Sequence, residues 1–316
     1  MDYELKFQFK FQFKPYQNQF KQPLRTSHGI WQKREGIIIS LINSADIASY
    51  GEIAPLPWFG SETMAQATEF CQQLGDTVTT QEIMAISDRL PCCQFAFESA
   101  YLALNLAPIA DLSHNLHNLH NLDFCYLLPA GEKALSTWQN LYQNNTVTTF
   151  KWKIGVLSLA KEIQILKQLV ADLPSGVNLR LDANGGLNLS QARQLLSVTD
   201  SLKAIEFIEQ PLPPENLAYI LQLSKEYNTL LALDESVASF QQLQQVCQQE
   251  WQGVYVIKAA IMGYPRRLIR FCQSNDLDVV FSSVFETKIG RETVLNLTRQ
   301  LTHPRAVGFG VQHLFE

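Results

Sequence analysis

Five short apolar runs in the second half of the chain each close on an ionisable residue, and they recur at a nearly constant interval. They read FKWK (Phe150–Lys153), LRLD (Leu179–Asp182), EFIE (Glu206–Glu209), LALD (Leu231–Asp234) and VYVIK (Val254–Lys258). The closing charges step from Lys153 to Asp182, Glu209, Asp234 and Lys258. Each step is roughly 25 residues, the length of one strand and one returning helix. Such spacing predicts consecutive βα units closing into a barrel, with catalytic groups at the carboxyl ends of the strands. Phe124–Leu128 supplies an earlier apolar segment, so FKWK counts as the second strand and VYVIK as the sixth. In a ring of eight, the second and sixth positions lie opposite each other. The chain is therefore expected to hold two amines on facing walls and three carboxylates along the arc between them.

Three converging carboxylates repel one another in a partly desolvated site, and a divalent cation relieves that repulsion. Ligation by oxygen alone favours a hard ion, and Mg²⁺ leaves positions open for water or substrate. An ion that polarises a substrate carboxylate makes the adjacent C–H bond acidic, and a lysine can then take the proton. Lys151 and Lys153 are two apart and share a strand face. Lys153, nearer the carboxyl end, is the expected base. Lys151 sits deeper, and mutual repulsion, burial and the ion are expected to lower the pKa values of the pair. A purely structural, salt-bridged lysine pair is the alternative, but two lysines aimed into a barrel are costly without a function. Arg180 shares the face of Asp182 and is expected to pair with a carboxylate and hold it. Glu206 and Glu209 fall on opposite faces. Glu209 ends its strand and is the better ligand, while Glu206 is expected outside the cavity.

The segments KWK, LDANGG, EQP, LDES and IKAAIMG, in that order, resemble the enolase superfamily, on the branch that includes muconate lactonising enzymes. Within it they are most similar to the enzymes that form o-succinylbenzoate in menaquinone and phylloquinone biosynthesis. The resemblance covers nearly the whole chain. It implies a modified (β/α)7β TIM-type α/β barrel with an N-terminal α+β capping domain. It also implies Mg²⁺ held by Asp182, Glu209 and Asp234, with Mn²⁺ as a substitute, and Glu235 behind them as a hydrogen-bond partner of a lysine. Lys153 is implied as base, in keeping with the Lys or His bases of enolase-superfamily sites. Lys258 then faces the reacting carbon from the other side. Ser282, Ser283 and Val284 would hold the distal part of the substrate, and Gly290 would offer free helix amides to a carboxylate. The implied reaction is syn-dehydration of 2-succinyl-6-hydroxy-2,4-cyclohexadiene-1-carboxylate. Lys153 removes the proton beside the ring carboxylate, giving an enediolate, and then helps the hydroxyl leave. The same half-reaction serves an N-acylamino-acid racemase or a dipeptide epimerase, in which Lys258 reprotonates the opposite face. Ala306–Phe315 carries no acidic residue to hold a dipeptide amine, which disfavours the second of these. A lactonising enzyme shares both lysines. A non-catalytic structural homologue is disfavoured by the intact set of two lysines and three acids.

The amino-terminal part reads differently. Lys6–Lys14 alternates strictly, with Phe7, Phe9, Phe11 and Phe13 on one face, as a half-buried strand does. A second strand is expected at Glu35–Leu41, with an irregular Leu24–Arg34 between them. The glycines and prolines of Gly51–Gly60 preclude a helix or a central strand. The resemblance makes both segments substrate-enclosing loops, with Arg34, Pro55 and Leu56 as contacts. Glu52 is expected to stabilise its loop rather than act as an acid. Helices are expected at Glu62–Leu74, at Thr80–Leu90 behind a Thr79/Glu82 capping box, and at Cys92–Leu104. The tract Ser113–Leu122 repeats His every third residue. A tolerated surface insertion is the expected reading over metal binding by His114, His117 and His120. These boundaries give a cap over residues 1–122 and a barrel over 123–302, with 303–316 supplying a last strand and returning to the cap.

Composition narrows the class. The chain has 316 residues, 46% hydrophobic and 17% charged, which suits a soluble enzyme of two domains. A net charge of −5 without a basic cluster argues against nucleic acid and leaves a small-molecule carboxylate as the expected partner. No apolar run is long enough to span a membrane, and the first residues lack the apolar core of a secretory signal. The six cysteines show no metal spacing, so a reducing, cytoplasmic setting is expected. The oligomeric state is left open by the sequence.

Overall fold

The computed structural model describes residues 7–26, 29–105, 122–144, 147–302, 305–311 and 315. Of the tract Ser113–Leu122, all but its last position lies outside the described residues.

Of the alternating phenylalanines, Phe9 and Phe11 are buried in a core and Phe13 packs against it, whereas Phe7, just ahead of the strand, is 44% exposed. The strand that carries them is far longer than the alternation. β1 spans Gln8–Thr26 and turns back as β2, Gly29–Ile42, in antiparallel register. Leu24–Arg34 is thus the end of a hairpin arm rather than an irregular loop. Ile30 in the arm is 63% exposed, while Trp31 packs against the core and Arg34 is buried, so the arm shows no simple alternation. β3, Ala48–Ile53, and β4, Thr77–Thr79, complete a sheet of order β3-β2-β1-β4. Gly51–Ile53, expected as irregular, therefore lies in an edge strand, the place where such a sequence is tolerated. Gly51 is required there, since a Cβ would sit 2.0 Å from the carbonyl oxygen of Ala96. Helices α1 (Met64–Gln73), α2 (Thr80–Met84) and α3 (Pro91–Asn105) complete the cap. α2 stops short of Leu90 because the Tyr264 hydroxyl, from the barrel, takes the carbonyls of Ile83 and Ile86 at 2.8 and 3.2 Å.

The second half forms eight parallel strands: β5 (Phe124–Leu128), β6 (Thr149–Lys153), β7 (Asn178–Asp182), β8 (Ile205–Glu209), β9 (Leu231–Leu233), β10 (Val254–Ile257), β11 (Val279–Phe281) and β12 (Val307–Gly310). A bridge from Ser282 to Gly308 joins β11 to β12 and closes the ring. A helix follows each of the first seven strands, from Ala134–Asn144 to Lys288–Thr298, so the barrel is a (β/α)7β one. Its strands read as largely apolar runs because helices cover one face and barrel packing the other. Phe207, Ala232, Val254, Val256 and Val280 fill the floor. β12 lies in the barrel, beyond the expected boundary at residue 302. The tail then reaches the cap, where Phe315 bridges to Phe20 of β1.

Candidate active site

Register sets the rim. Lys153 pairs beside Asp182, and Asp182 beside Glu209, so three charges follow one another along the carboxyl edge. Asp234 directly follows β9 and Lys258 directly follows β10. In the strand order, β6 and β10 are four places apart in either direction, so the two lysines stand on opposite walls. All five tips, with Lys151 below, line one cavity of about 770 Å³. Asn184, Glu235, Ser282, Ser283 and Leu56 line it as well, and Trp31, Trp58, Phe59 and Phe285 wall its mouth. Ring contacts hold that wall together, with Trp31 5.0 Å from Trp58 and 5.3 Å from Phe285.

The charges interlock. Lys151 Nζ lies 3.1 Å from Asp182 Oδ2 and 3.1 Å from Glu209 Oε1. Lys153 Nζ lies 3.5 Å from Asp182 Oδ2 and donates to Asn184 Oδ1. Asn184 Nδ2 donates in turn to Glu235 Oε1 at 3.0 Å, so Glu235 reaches a lysine through Asn184 rather than directly. Lys258 pairs with Asp234 and sits 4.0 Å over the Phe59 ring. Burial would raise Asp182, but the ammonium groups of Lys151 and Lys153 hold it down at about 2. Glu209 rises to about 7, through burial first and then repulsion by Asp182. Asp234 rises to about 6 through burial, which Lys258 only partly offsets. Lys151 departs from expectation. Burial pushes it down, yet Asp182, Glu209 and Asp234 together outweigh burial and hold it well above the usual lysine value. Two of those acids, Asp182 and Glu209, are its own ion-pair partners.

The donor set fits a hard divalent ion. Asp182, Glu209 and Asp234 are 2%, 2% and 5% exposed and offer oxygen only, and burial pushes two of them toward protonation. As placed they do not form a closed cage: among the described residues no three acidic, His or Cys side chains are grouped to hold a metal. The reason is visible in the pairing, since Lys151 lies between Asp182 and Glu209 while Lys258 draws Asp234 aside.

Several expected contacts fall elsewhere. Arg180 pairs with a carboxylate, as expected, and that carboxylate is Glu206, at 2.7 Å. A register shift between Leu179 and Arg180 leaves Glu206 as an extra residue in β8, and such a bulge re-aims a side chain. Glu206 stays out of the cavity, as expected, yet binds both Arg180 and Arg305. Gly290 offers no free amide: its N–H, and that of Thr287, donate to Glu52, at 2.9 and 2.8 Å. Glu52 is thus a latch between cap and barrel, in line with the stabilising role expected for it. Val284 does not line the cavity, and its amide donates to Glu286 Oε2 at 2.7 Å. Arg34 and Pro55 do not line it either. Arg34 is buried and its Nη1 donates to the Pro55 carbonyl at 2.9 Å, which shapes the loop that presents Leu56.

Sequence reasoning missed two wiring residues. Asn184 falls within the LDANGG segment, and its side chain joins Lys153 to Glu235. Gln210 accepts from the Asp234 and Ser236 amides at 3.0 and 3.1 Å and so ties the tip of β8 to that of β9. Both adopt a positive φ, 42° and 39°, at consecutive barrel turns; the Asn in LDANGG, a residue type that tolerates it, was the available signal, and Gln210 carried none.

Comparison with known proteins agrees with this geometry. Residues 133–310 match the family described as enolase C-terminal domain-like, and residues 15–104 match the MenC N-terminal domain. An o-succinylbenzoate synthase of Thermosynechococcus vestitus is 37% identical over 96% of this chain and 92% of its own length. The crystal structure of o-succinylbenzoate synthase from Thermosynechococcus elongatus, complexed with Mg in the active site, superposes with a TM-score of 0.88. It is 36% identical and covers 97% of this chain and 94% of its own. A dipeptide epimerase from Methylococcus capsulatus superposes with a TM-score of 0.83 over 98% of this chain and 92% of its own. At 17% identity it shares the fold alone.

Proposed function

We infer the activity from one premise: the chain belongs to the o-succinylbenzoate synthases of the enolase superfamily. It catalyses the Mg²⁺-dependent dehydration that forms o-succinylbenzoate, a step of menaquinone and phylloquinone biosynthesis, and is a hydro-lyase. The observation that carries this reading is the set of five strand-end charges around one cavity, in a chain matched along nearly its full length. Asp182, Glu209 and Asp234 would hold the ion. Mg²⁺, when bound, supplies positive charge against the negative charge that builds on the ring carboxylate as the neighbouring proton leaves.

The chain's own groups do the rest. Lys153 Nζ takes the proton from the carbon bearing the ring carboxylate. Asn184 holds that amine at the cavity edge, with Glu235 fixing the amide. The proton now on Lys153 passes to the hydroxyl on the neighbouring carbon, the C–O bond breaks, and water leaves from the same face while the ring becomes aromatic. Lys258, on the opposite wall, faces the electron pair released in the first step. Lys151 bridges Asp182 and Glu209 and keeps them side by side. The aromatic wall closes over the reacting ring and keeps bulk solvent from the charged intermediate. A small-molecule carboxylate is the partner, and the cytoplasm is the setting this reading carries, supported by six unpaired cysteines. Among the described residues no helix is long and apolar enough to cross a membrane.

The test is formation of o-succinylbenzoate from its hydroxycyclohexadiene precursor, followed by absorbance. Turnover should vanish with a chelator and return with Mg²⁺ or Mn²⁺. Absence of product under Mg²⁺ saturation would overturn the reading.

A further inference from the structure

The substrate in this reading carries two carboxylates, one on the ring and one at the end of the succinyl arm. The ring carboxylate belongs beside the three acids and their ion. The arm needs a positive partner of its own, and the structure narrows where that can be.

The backbone amides expected to serve it are already taken. Ser282 N–H donates to the Ile257 carbonyl and Ser283 N–H to that of Gly308. Val284 N–H donates to Glu286 and Phe285 N–H to Ser283 Oγ. Gly290 N–H donates to Glu52. The cations deep in the cavity are committed too: Lys151 to Asp182 and Glu209, Lys153 to Asp182, Lys258 to Asp234, and Arg180 to Glu206. One further cation lines the cavity. Lys21 comes from the cap and, among the described residues, has no carboxylate partner.

Its position is built rather than incidental. In the β1–β2 ladder, Gln19 pairs with Lys33 and the next pair is Leu24 with Trp31. The four residues Phe20–Pro23 therefore oppose Gln32 alone, and Lys21, Gln22 and Pro23 all line the cavity. A bulge of this kind breaks the pairing and turns side chains off the sheet. Phe20 pins it. That ring is buried, stacks 4.7 Å from Phe315 of the tail, and meets Phe285 at 5.5 Å and Trp31 at 5.1 Å. The bulge is thus fixed to the barrel by its first residue while the second presents an ammonium to the cavity.

We propose that Lys21 is the specificity-determining cation of this site, pairing with the terminal carboxylate of the succinyl arm. The proposal rests on the o-succinylbenzoate reading and adds a residue to it. Lys21 touches no reacting atom, so its effect falls on substrate affinity and on discrimination between arms.

The experiment uses the full chain loaded with Mg²⁺ and two ligands, o-succinylbenzoate and 2-butanoylbenzoate, whose arm ends in a methyl group. Calorimetry on the wild type should show the dicarboxylate binding about ten-fold tighter, the scale of one charge-assisted contact in a partly open site. Lys21→Gln should abolish that preference by weakening only the dicarboxylate, and Lys21→Arg should restore most of it. In turnover, Lys21→Gln should raise KM by about ten-fold with a smaller change in kcat. A Lys21→Gln protein that keeps both the preference and the KM of the wild type overturns the proposal and leaves the activity standing. A wild type that neither binds o-succinylbenzoate nor forms it defeats the underlying reading instead.

Discussion

The barrel holds two layers of buried charge, one above the other, and they are built on opposite rules. In the lower layer, Arg180 spans Glu206 with Nε and Nη2, at 2.7 and 3.2 Å, and gives Nη1 to the Ala306 carbonyl at 2.7 Å. Arg305 grips Asp278 with two bonds of 2.7 Å and reaches Glu206 with a third. Two planar guanidinium groups thus meet two carboxylates in matched forks, that of Arg180 over the ring of Phe207. The upper layer sets three flexible lysines against Asp182, Glu209, Asp234 and Glu235. Burial and mutual repulsion leave Glu209 near 7 and Asp234 near 6. Charge balanced by geometry holds a barrel together. Charge left short of a cation at a cavity waits for a ligand.

The comparison breaks first at Lys153. Its side chain is 36% exposed, so Lys153→Ala should leave stability nearly unchanged. Because the same amine acts in both proton transfers, o-succinylbenzoate formation should fall by about 10³-fold or more. Calorimetric Mg²⁺ binding should persist in the variant. Retention of near-normal turnover would remove the base from the upper layer. Asp234→Asn should act next most strongly, weakening Mg²⁺ affinity by at least about ten-fold in the same titration, since a charged oxygen ligand is lost from an all-oxygen set.

Arg180→Met tests the lower layer. It removes one partner of a buried network and leaves Glu206 with Arg305 alone, a change that costs about 3 kcal/mol. Urea unfolding should show that loss, while Mg²⁺ affinity shifts only a few-fold. The reverse pattern, with stability kept and the ion lost, would mean that the two layers are one system.

The upper layer was legible in the sequence and the lower one was not. Lys153, Asp182, Glu209, Asp234 and Lys258 announced themselves because each ends a short apolar run, and strand spacing then places such ends on one rim. Arg180 and Glu206 sit inside their runs, and their meeting depends on a one-residue shift between β7 and β8 that no alternation pattern records. Arg305 and Asp278 lie outside any strand and join only through closure of the ring. The cap shows the same divide. Phe9 and Phe11 were readable as a core face, whereas the bulge at Phe20–Pro23 depends on contacts with Phe285 and Phe315, more than 260 residues away in the chain. Local periodicity reports burial, and it is silent on partners that only the closed fold brings near.

Glu286 sharpens the comparison, because it belongs to neither layer and, among the described residues, has no cation paired with it. Its Oε2 accepts from Ser283 Oγ and the Val284 amide, at 2.8 and 2.7 Å, and its Oε1 is buried without a partner among the described residues. A lone buried carboxyl should respond by keeping its proton. Burial, with the nearby charge of Glu52 adding to it, pushes Glu286 from its ordinary 4.5 to about 7. The folded state then binds this proton more tightly than the unfolded chain does. Its stabilising contribution is full below the unfolded value and is lost as pH rises through about 7. The loss amounts to about 3 kcal/mol between about pH 5 and about pH 8. Glu286→Gln keeps an oxygen for Ser283 and Val284 and carries no charge at any pH. Measured by urea unfolding with Mg²⁺ present, so that the upper acids stay bound, the variant should lack this part of the decline and be the more stable protein at high pH. Parallel profiles for variant and wild type would show that Glu286 is ionised in the fold, and that a buried acid here can stand alone without either a proton or a partner.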